Sequence, residues 1–271
     1  MNILRFGITF AFVALPAVVV AANTSREAGA GQDTPVLHVY GPGGPLPAIK
    51  EAADAFGKEK HIQIVVTGGP EPKWLHDAQQ NADLIFSGSE DMMSDFQVAM
   101  QGALDPTTIT PLYLREAAIL VRPGNPTHIQ GLQDLMKPGH RILVVNGAGQ
   151  RGLWEDVAGR QGDIASIAKF RANIAIVSPN SGDARTDWIN DKSLDAWLIW
   201  NIWQVSNPSL AEIVSIDEAH RINRDCGIGL TTQGKSRPEA REFIRFLQSP
   251  QGAQIFRKWG WSVSNDSRNT Y

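Results

Sequence analysis

Two glycine-rich segments carry the strongest local signals for nucleotide chemistry. Gly147, Gly149 and Gly152 in GAGQRG keep the G-x-G-x-x-G spacing, follow an apolar run and precede a helical pattern, the arrangement in which N–H groups at a helix start receive a pyrophosphate. The acidic residue that such a site needs about 20 positions further on is missing; Ala168, Lys169 and Phe170 stand there instead. Gly229, Gly234, Lys235 and Ser236 in GLTTQGKS fit the phosphate-loop pattern letter for letter. Only 35 of the 271 residues follow Ser236, and Pro238 stands where that loop's helix would continue. Neither NAD nor ATP is therefore expected, and no cofactor is. Backbone N–H groups at the helix start remain suited to an anion of another kind.

Catalytic sets are equally thin. His38, His61, His76, His128, His140 and His220 are scattered singly, Cys226 is the one cysteine, and neither HExxH nor GxSxG occurs, so no metal site and no nucleophile elbow are expected. Glu90 and Asp91 follow Ser87 and Ser89 at a strand-to-helix junction, where capping and the helix dipole account for them. A secreted hydrolase with paired carboxylates stays open as an alternative function.

The surrounding elements read as α/β. Short β-branched runs at 36–40, 62–67 and 82–86 alternate with helical patterns at 46–56 and around Trp74 and Ala78, a βαβαβ order that implies a parallel sheet with helices on both faces. The same grammar recurs in strands at 117–122, 141–146, 174–177 and 196–200, with helices at 132–136, 153–158, 182–190 and after Asn201. A strand at 228–231, an i, i+3, i+4, i+7 stripe on Ala240, Phe243, Ile244 and Leu247, and a helix opened by Ser249 and Pro250 complete the chain. One device repeats: a strand, a Gly/Ser/Asn loop, a helix start, at 41–45, 67–70, 87–89, 147–151 and 180–182. Ligands of open α/β sheets bind off the carboxyl ends of strands, so these loops are candidates to converge on one anion.

Composition narrows the partners. With 25 basic against 28 acidic residues, a net charge of −3 and no basic run, no nucleic acid is expected as a partner. Residues 1–22 read as a secretory leader: Asn2 and Arg5 precede an apolar run at 6–20, which ends on Val20, Ala21 and Ala22. The run is shorter than the roughly 20 residues of a spanning helix. A soluble monomer exported to a periplasm is the expectation, its lone cysteine having no internal oxidation partner.

The segments VYGPGGP (39–45), LWEDVAGR (153–160), SPNSGDAR (178–185), DAW (195–197) and the ending FIRFLQSPQGAQIFRKWGW resemble the type II periplasmic solute-binding proteins. The similarity is to the molybdate- and sulfate-binding branch and, more narrowly, to the accessory colonization factor C group. The resemblance implies two Rossmann-like α/β lobes joined by a two-crossing hinge, near 112–118 and 225–230. Lobe 1 would comprise 23–114 plus 227–271, and lobe 2 would comprise 115–226. It further implies a small anionic ligand held between the lobes, without catalysis, for an ABC-type permease or a chemoreceptor. Carried over by position, the ligand contacts are Gly43 and Gly44, Gly69, Ser87 and Ser89 in the first lobe, and Gly149, Gln150, Arg151, Ser181, Gly182, Trp200 and Asn201 in the second. The first loop here is Gly and Pro where molybdate binders have small hydroxyls, so oxyanion selectivity does not transfer. Arg151 and Arg185 add cationic donors that admit a carboxylate or a sulfated organic ligand.

Arg151, between a strand end and a helix start, is the better placed of the two for the ligand's charge; Arg185 falls four residues into its helix. The Trp-rich stretch Trp188, Trp197, Trp200 and Trp203 reads as core and cleft lining, with an adhesive outer surface as the alternative function. Titration with ATP or NAD is expected to show no saturable binding; micromolar binding lost on Lys235→Ala or Gly149→Ala would overturn that expectation.

Overall fold

The computed structural model of the chain describes residues 36–147 and 149–262; the leader expected at 1–22, residues 23–35 and residues 263–271 lie outside the described residues. The described elements run β1 (Val36–Gly41), α1 (Leu46–Lys60), β2 (Gln63–Gly68), α2 (Leu75–Asn81), β3 (Leu84–Phe86), α3 (Glu90–Ala99), β4 (Thr110–Val121), α4 (Leu132–Leu135), β5 (Ile142–Val145), α5 (Leu153–Ala158), α6 (Ile164–Ala172), β6 (Ile174–Ser178), α7 (Ser181–Asn190), β7 (Ala196–Trp200), α8 (Ile202–Ser206), β8 (Glu212–Ser215), β9 (Asn223–Leu230), α9 (Thr232–Lys235), α10 (Pro238–Leu247) and α11 (Pro250–Lys258).

Two parallel sets meet through an antiparallel pair. The strand order is β2-β1-β3-β9-β4-β7-β5-β6, with β8 beside β4. β1 is parallel to β2 and β3, and β5 is parallel to β6 and β7. The first half of β4, Thr110 to Glu116, pairs antiparallel with β9, whereas Ala117 to Val121 pair with β7 and β8. One long strand thus belongs to both halves of a two-lobed α/β fold, and any residue in its middle stands where the halves meet.

Packing follows the apolar spacing. α1 buries Ala48, Ile49, Ala52, Ala53 and Phe56, and Phe56 packs its ring 5.5 Å from Phe243 and 5.4 Å from Phe246 of α10. Ser249 caps α11 by accepting from the Gly252 amide at 3.2 Å, the role that Ser-Pro implies at a helix start. Inside the edge of the sheet, Asp83 accepts from the His38 amide at 2.9 Å and pairs with Arg237 at 3.2 Å, so a fully buried carboxylate has its counter-charge.

The structure departs from the sequence pattern mainly where β4 and β9 pair. β4 begins at Thr110 and not at 117, because Pro111 forces a register shift and Arg115 and Glu116 interrupt the apolar run. β9 likewise begins at Asn223, its polar first residues pairing with that same part of β4. α6 buries only Phe170, and β8 is an exposed edge strand, so neither carries a clear hydrophobic period. Among the described residues no helix is long and apolar enough to cross a membrane.

The phosphate-loop lookalike has a packing explanation. Gly234 lies so close to the backbone of Asp83 that an added Cβ would stand 1.9 Å from its carbonyl oxygen, and Lys235 is ion-paired with Asp105. Glycine here is a contact requirement and lysine a surface pair. Gly234→Ala is expected to lower unfolding free energy by about 2 kcal/mol or more through forced backbone displacement, measured by denaturant titration; unchanged stability would contradict this packing argument.

Candidate ligand-binding site

The carboxyl ends of the parallel strands face one cleft cavity of about 210 Å³. The loop between β1 and α1 supplies Pro42, Gly43, Gly44 and Pro45, the loop after β2 supplies Gly69 and Pro70, and the β3–α3 junction supplies Gly88 and Met92. Opposite them stand Gln150 after β5, Asn180, Ser181 and Gly182 at the start of α7, and Trp203 on α8, with Arg115 coming from the middle of β4. α1 and α7, of 15 and 10 residues, both begin at this lining and turn the positive ends of their dipoles toward it. Asn180 caps α7 by accepting from the Asp183 amide at 2.9 Å, and Gln150 Nε2 donates to Ser181 Oγ at 2.8 Å, which ties the two loops of this lobe together.

Arg115 is the one cation of the lining and is only 3% exposed. Its guanidinium carbon lies 4.6 Å from the Trp200 ring centre and 5.4 Å from that of Trp261, contacts that offset part of the desolvation. One terminal nitrogen donates to the Gly88 carbonyl. Nε has no hydrogen-bond partner, and no ion pair among the described residues involves this side chain. Burial pushes its pKa down to about 9, with the like charge of Arg224 adding to the shift and the carboxylate of Asp225 opposing it. Two glycines make room: a Cβ on Gly44 would stand 2.9 Å from Nη1, and one on Gly88 would stand 2.8 Å from Nη2.

Arg122, on the same strand, shows what a structural arginine looks like here. It donates to the carbonyls of Leu194, Trp188 and Asp191 at 2.9, 2.8 and 2.6 Å while lying 3.6 Å over the Trp188 ring. Arg115 has the aromatic support without the full set of acceptors. A buried cation without a paired anion is costly, and its surroundings are chemically suited to bind an anion brought by a ligand.

Of the residues expected from sequence, Gly43, Gly44, Gly69, Gln150, Ser181 and Gly182 line this cavity. Ser87 is fully buried beside Gly227, and Ser89 caps α3 through the Met92 amide at 3.1 Å. Gly149 gives its carbonyl to Arg224 at 3.1 Å. Trp200 lies beneath the Arg115 guanidinium and not on the cavity wall. Asn201 donates to the Gly260 carbonyl at 2.7 Å, and Arg185 Nε donates to Asn207 at 3.0 Å. Arg151 is half exposed and pairs with Asp91, at 3.5 Å, and Asp95 of α3. Trp188, Trp197 and Trp200 are at most 2% exposed, so they offer no adhesive surface. Sequence reading missed Arg115; Gly88 and Asn180 fall in candidate loops, and Trp203 in the stretch read as core and cleft lining, without having been assigned as ligand contacts. The available signal was a charged pair, Arg115 and Glu116, inside an otherwise apolar stretch at 112–121.

A larger cavity, about 1120 Å³, has Glu116, Asp134, Asp217 and Glu218 in its lining along with Arg221 and Arg257. Glu116 and Arg115 are neighbours on a strand and point to opposite faces, so this cavity lies across β4 from the cleft. Its carboxylates make it the poorer home for an anion despite its size.

The chain matches the family described as bacterial extracellular solute-binding protein over residues 37–262. No curated protein sequence matches it significantly. Among solved structures, it is 35% identical to L-phospholactate-bound PEB3, with a TM-score of 0.79 and coverage of 84% of this chain and 99% of that one. PEB3 from Campylobacter jejuni is 34% identical at a TM-score of 0.78, with the same coverage. The sulfate-binding protein SubI from Mycobacterium tuberculosis H37Rv is 16% identical at a TM-score of 0.71, covering 86% of this chain and 88% of that one, a likeness of fold alone. The architecture is therefore the two-lobed periplasmic-binding-protein type II fold.

Arg115→Met is expected to leave the stability of the ligand-free protein unchanged or to raise it by about 1 kcal/mol, because it replaces an incompletely paired buried charge by an apolar side chain of similar length. Thermal and denaturant unfolding check this; a loss of several kcal/mol would make Arg115 a structural residue like Arg122.

Proposed function

Because the chain belongs to the bacterial extracellular solute-binding protein family, whose members capture solutes without catalysis, we propose that it takes up a compact anionic organic solute between its lobes, with Arg115 as the anchoring charge. The observation that carries this reading is the buried guanidinium with an unfilled donor, at the junction of two helix starts. Pro42, Pro45, Pro70, Met92 and Trp203 make much of the remaining wall apolar, which favours a carbon-bearing acid over a bare oxyanion such as sulfate. PEB3, a relative with 35% identity, binds L-phospholactate, so a phosphorylated hydroxy acid or a dicarboxylate is the class to test first. Gly43, Gly44, Gly69, Gln150, Ser181 and Gly182 would contact it beside Arg115.

The finer assignments belong to this reading. The 1–22 leader would deliver a soluble monomer to the periplasm. The lobes would divide as 23–114 with 227–271, and 115–226. The bound solute would pass to an ABC-type permease or a chemoreceptor, and the quoted segments would place the chain in the accessory colonization factor C group. Small-solute capture in this fold also accommodates an adhesin-like role.

Calorimetry with L-phospholactate, malate, citrate and sulfate on wild type and Arg115→Met tests the proposal. An organic acid is expected to bind more tightly than sulfate, and the variant is expected to lose about 3 kcal/mol or more of binding free energy, the loss of a charge-assisted contact in a dry cleft. An anion binds the protonated guanidinium, so affinity should be level at neutral pH and fall as pH rises through about 9. Unchanged affinity in Arg115→Met would overturn the assignment.

A further inference from the structure

The loop after β5 reaches across the cleft. Arg151, two residues before α5, pairs through its guanidinium with Asp91 at 3.5 Å and with Asp95, both on α3, a helix of the other half of the sheet. The backbone of the same loop is pinned from β9: Arg224 donates to the carbonyls of Gly149 and Arg151 at 3.1 and 3.2 Å and pairs with Asp156 of α5 at 3.0 Å. Gly149 itself abuts α3, since a Cβ there would stand 3.0 Å from Ser89 Oγ and from the Met92 methyl group. The loop is thus fixed at its backbone and extends one cation to a carboxylate-rich helix. Asp95 also has a like-charged neighbour: burial first, and then the charge of Asp95, raise the carboxyl of Glu71 above its usual range, a repulsion that the Arg151 cation offsets.

We infer that Arg151 with Asp91 and Asp95 forms a clasp across the cleft that sets the balance between open and closed lobes without touching the solute. The inference rests on the reading that solute is held between the lobes, but the clasp itself needs no solute. Arg151 is absent from the cavity lining, whereas the adjacent Gln150 belongs to it, so closing the clasp seats Gln150 at the site. Two carboxylates on one guanidinium, half exposed, make a modest and salt-sensitive interaction. That suits a contact which must break for solute to leave.

The test measures lobe separation in the ligand-free, full-length protein by single-molecule energy transfer. Val98 on α3 and Ile164 on α6 are 81% and 78% exposed and lie in different halves of the fold, so Val98→Cys and Ile164→Cys take the dyes while buried Cys226 does not. At low salt the wild-type background is expected to favour the short distance. Arg151→Ala, or about 1 M salt on the wild-type background, should raise the long-distance population about fivefold. The charge exchange Arg151→Asp with Asp95→Arg should restore part of the short-distance population. Populations indifferent to Arg151→Ala and to salt would overturn the clasp. These distances are read without solute and the calorimetry reads solute binding, so a failure of the solute assignment appears in calorimetry and a failure of the clasp appears here.

Discussion

The burial of one guanidinium that has no ion pair among the described residues organises this molecule. Arg115 has to be reached by a strand that belongs to both lobes, lifted against Trp200 and Trp261, and given room by glycine at positions 44 and 88. Each of these features is ordinary alone. Together they keep a cation dry, partly hydrogen-bonded and accessible to a small cavity, which raises the strength of any charge-assisted bond formed there.

The other arginines show how the same side chain is used differently according to its surroundings. Arg122 is spent on three carbonyls, Arg237 neutralises buried Asp83, and Arg224 holds the loop that presents Arg151. Charge is also sorted across β4. Arg115 faces the cleft, while Glu116, one residue on, lines the other cavity with further carboxylates. The alternation of a strand separates an anion-seeking face from an acidic one without any extra element.

Burial explains why the Trp-rich stretch and the phosphate-loop lookalike do not act as their letters suggest. Trp188, Trp197 and Trp200 fill the lobe interior and serve as aromatic supports for Arg122 and Arg115. Gly234 is there because the Asp83 backbone leaves no room for a side chain. In both cases a short pattern is accounted for by contacts more than 20 residues away along the chain.

Local chemistry determined the parallel α/β units, the helices whose apolar stripes are strong, and the glycine loops at strand ends, because hydrophobic period, caps and breakers act within a few residues. The loops that bring Gly43, Gly44, Gly69, Gln150, Ser181 and Gly182 to the cavity lining were legible for that reason, whereas their assignment as ligand contacts came from the family resemblance. What the tertiary structure alone decided was which cation meets the cleft. Arg151 sits in the more suggestive loop, yet its guanidinium is claimed by Asp91 and Asp95 on a helix more than 50 residues earlier. Arg115 sits in a strand whose two halves pair with different partners, so its orientation toward the cleft, outside any ion pair among the described residues, exists only once β4, β9 and β7 are assembled.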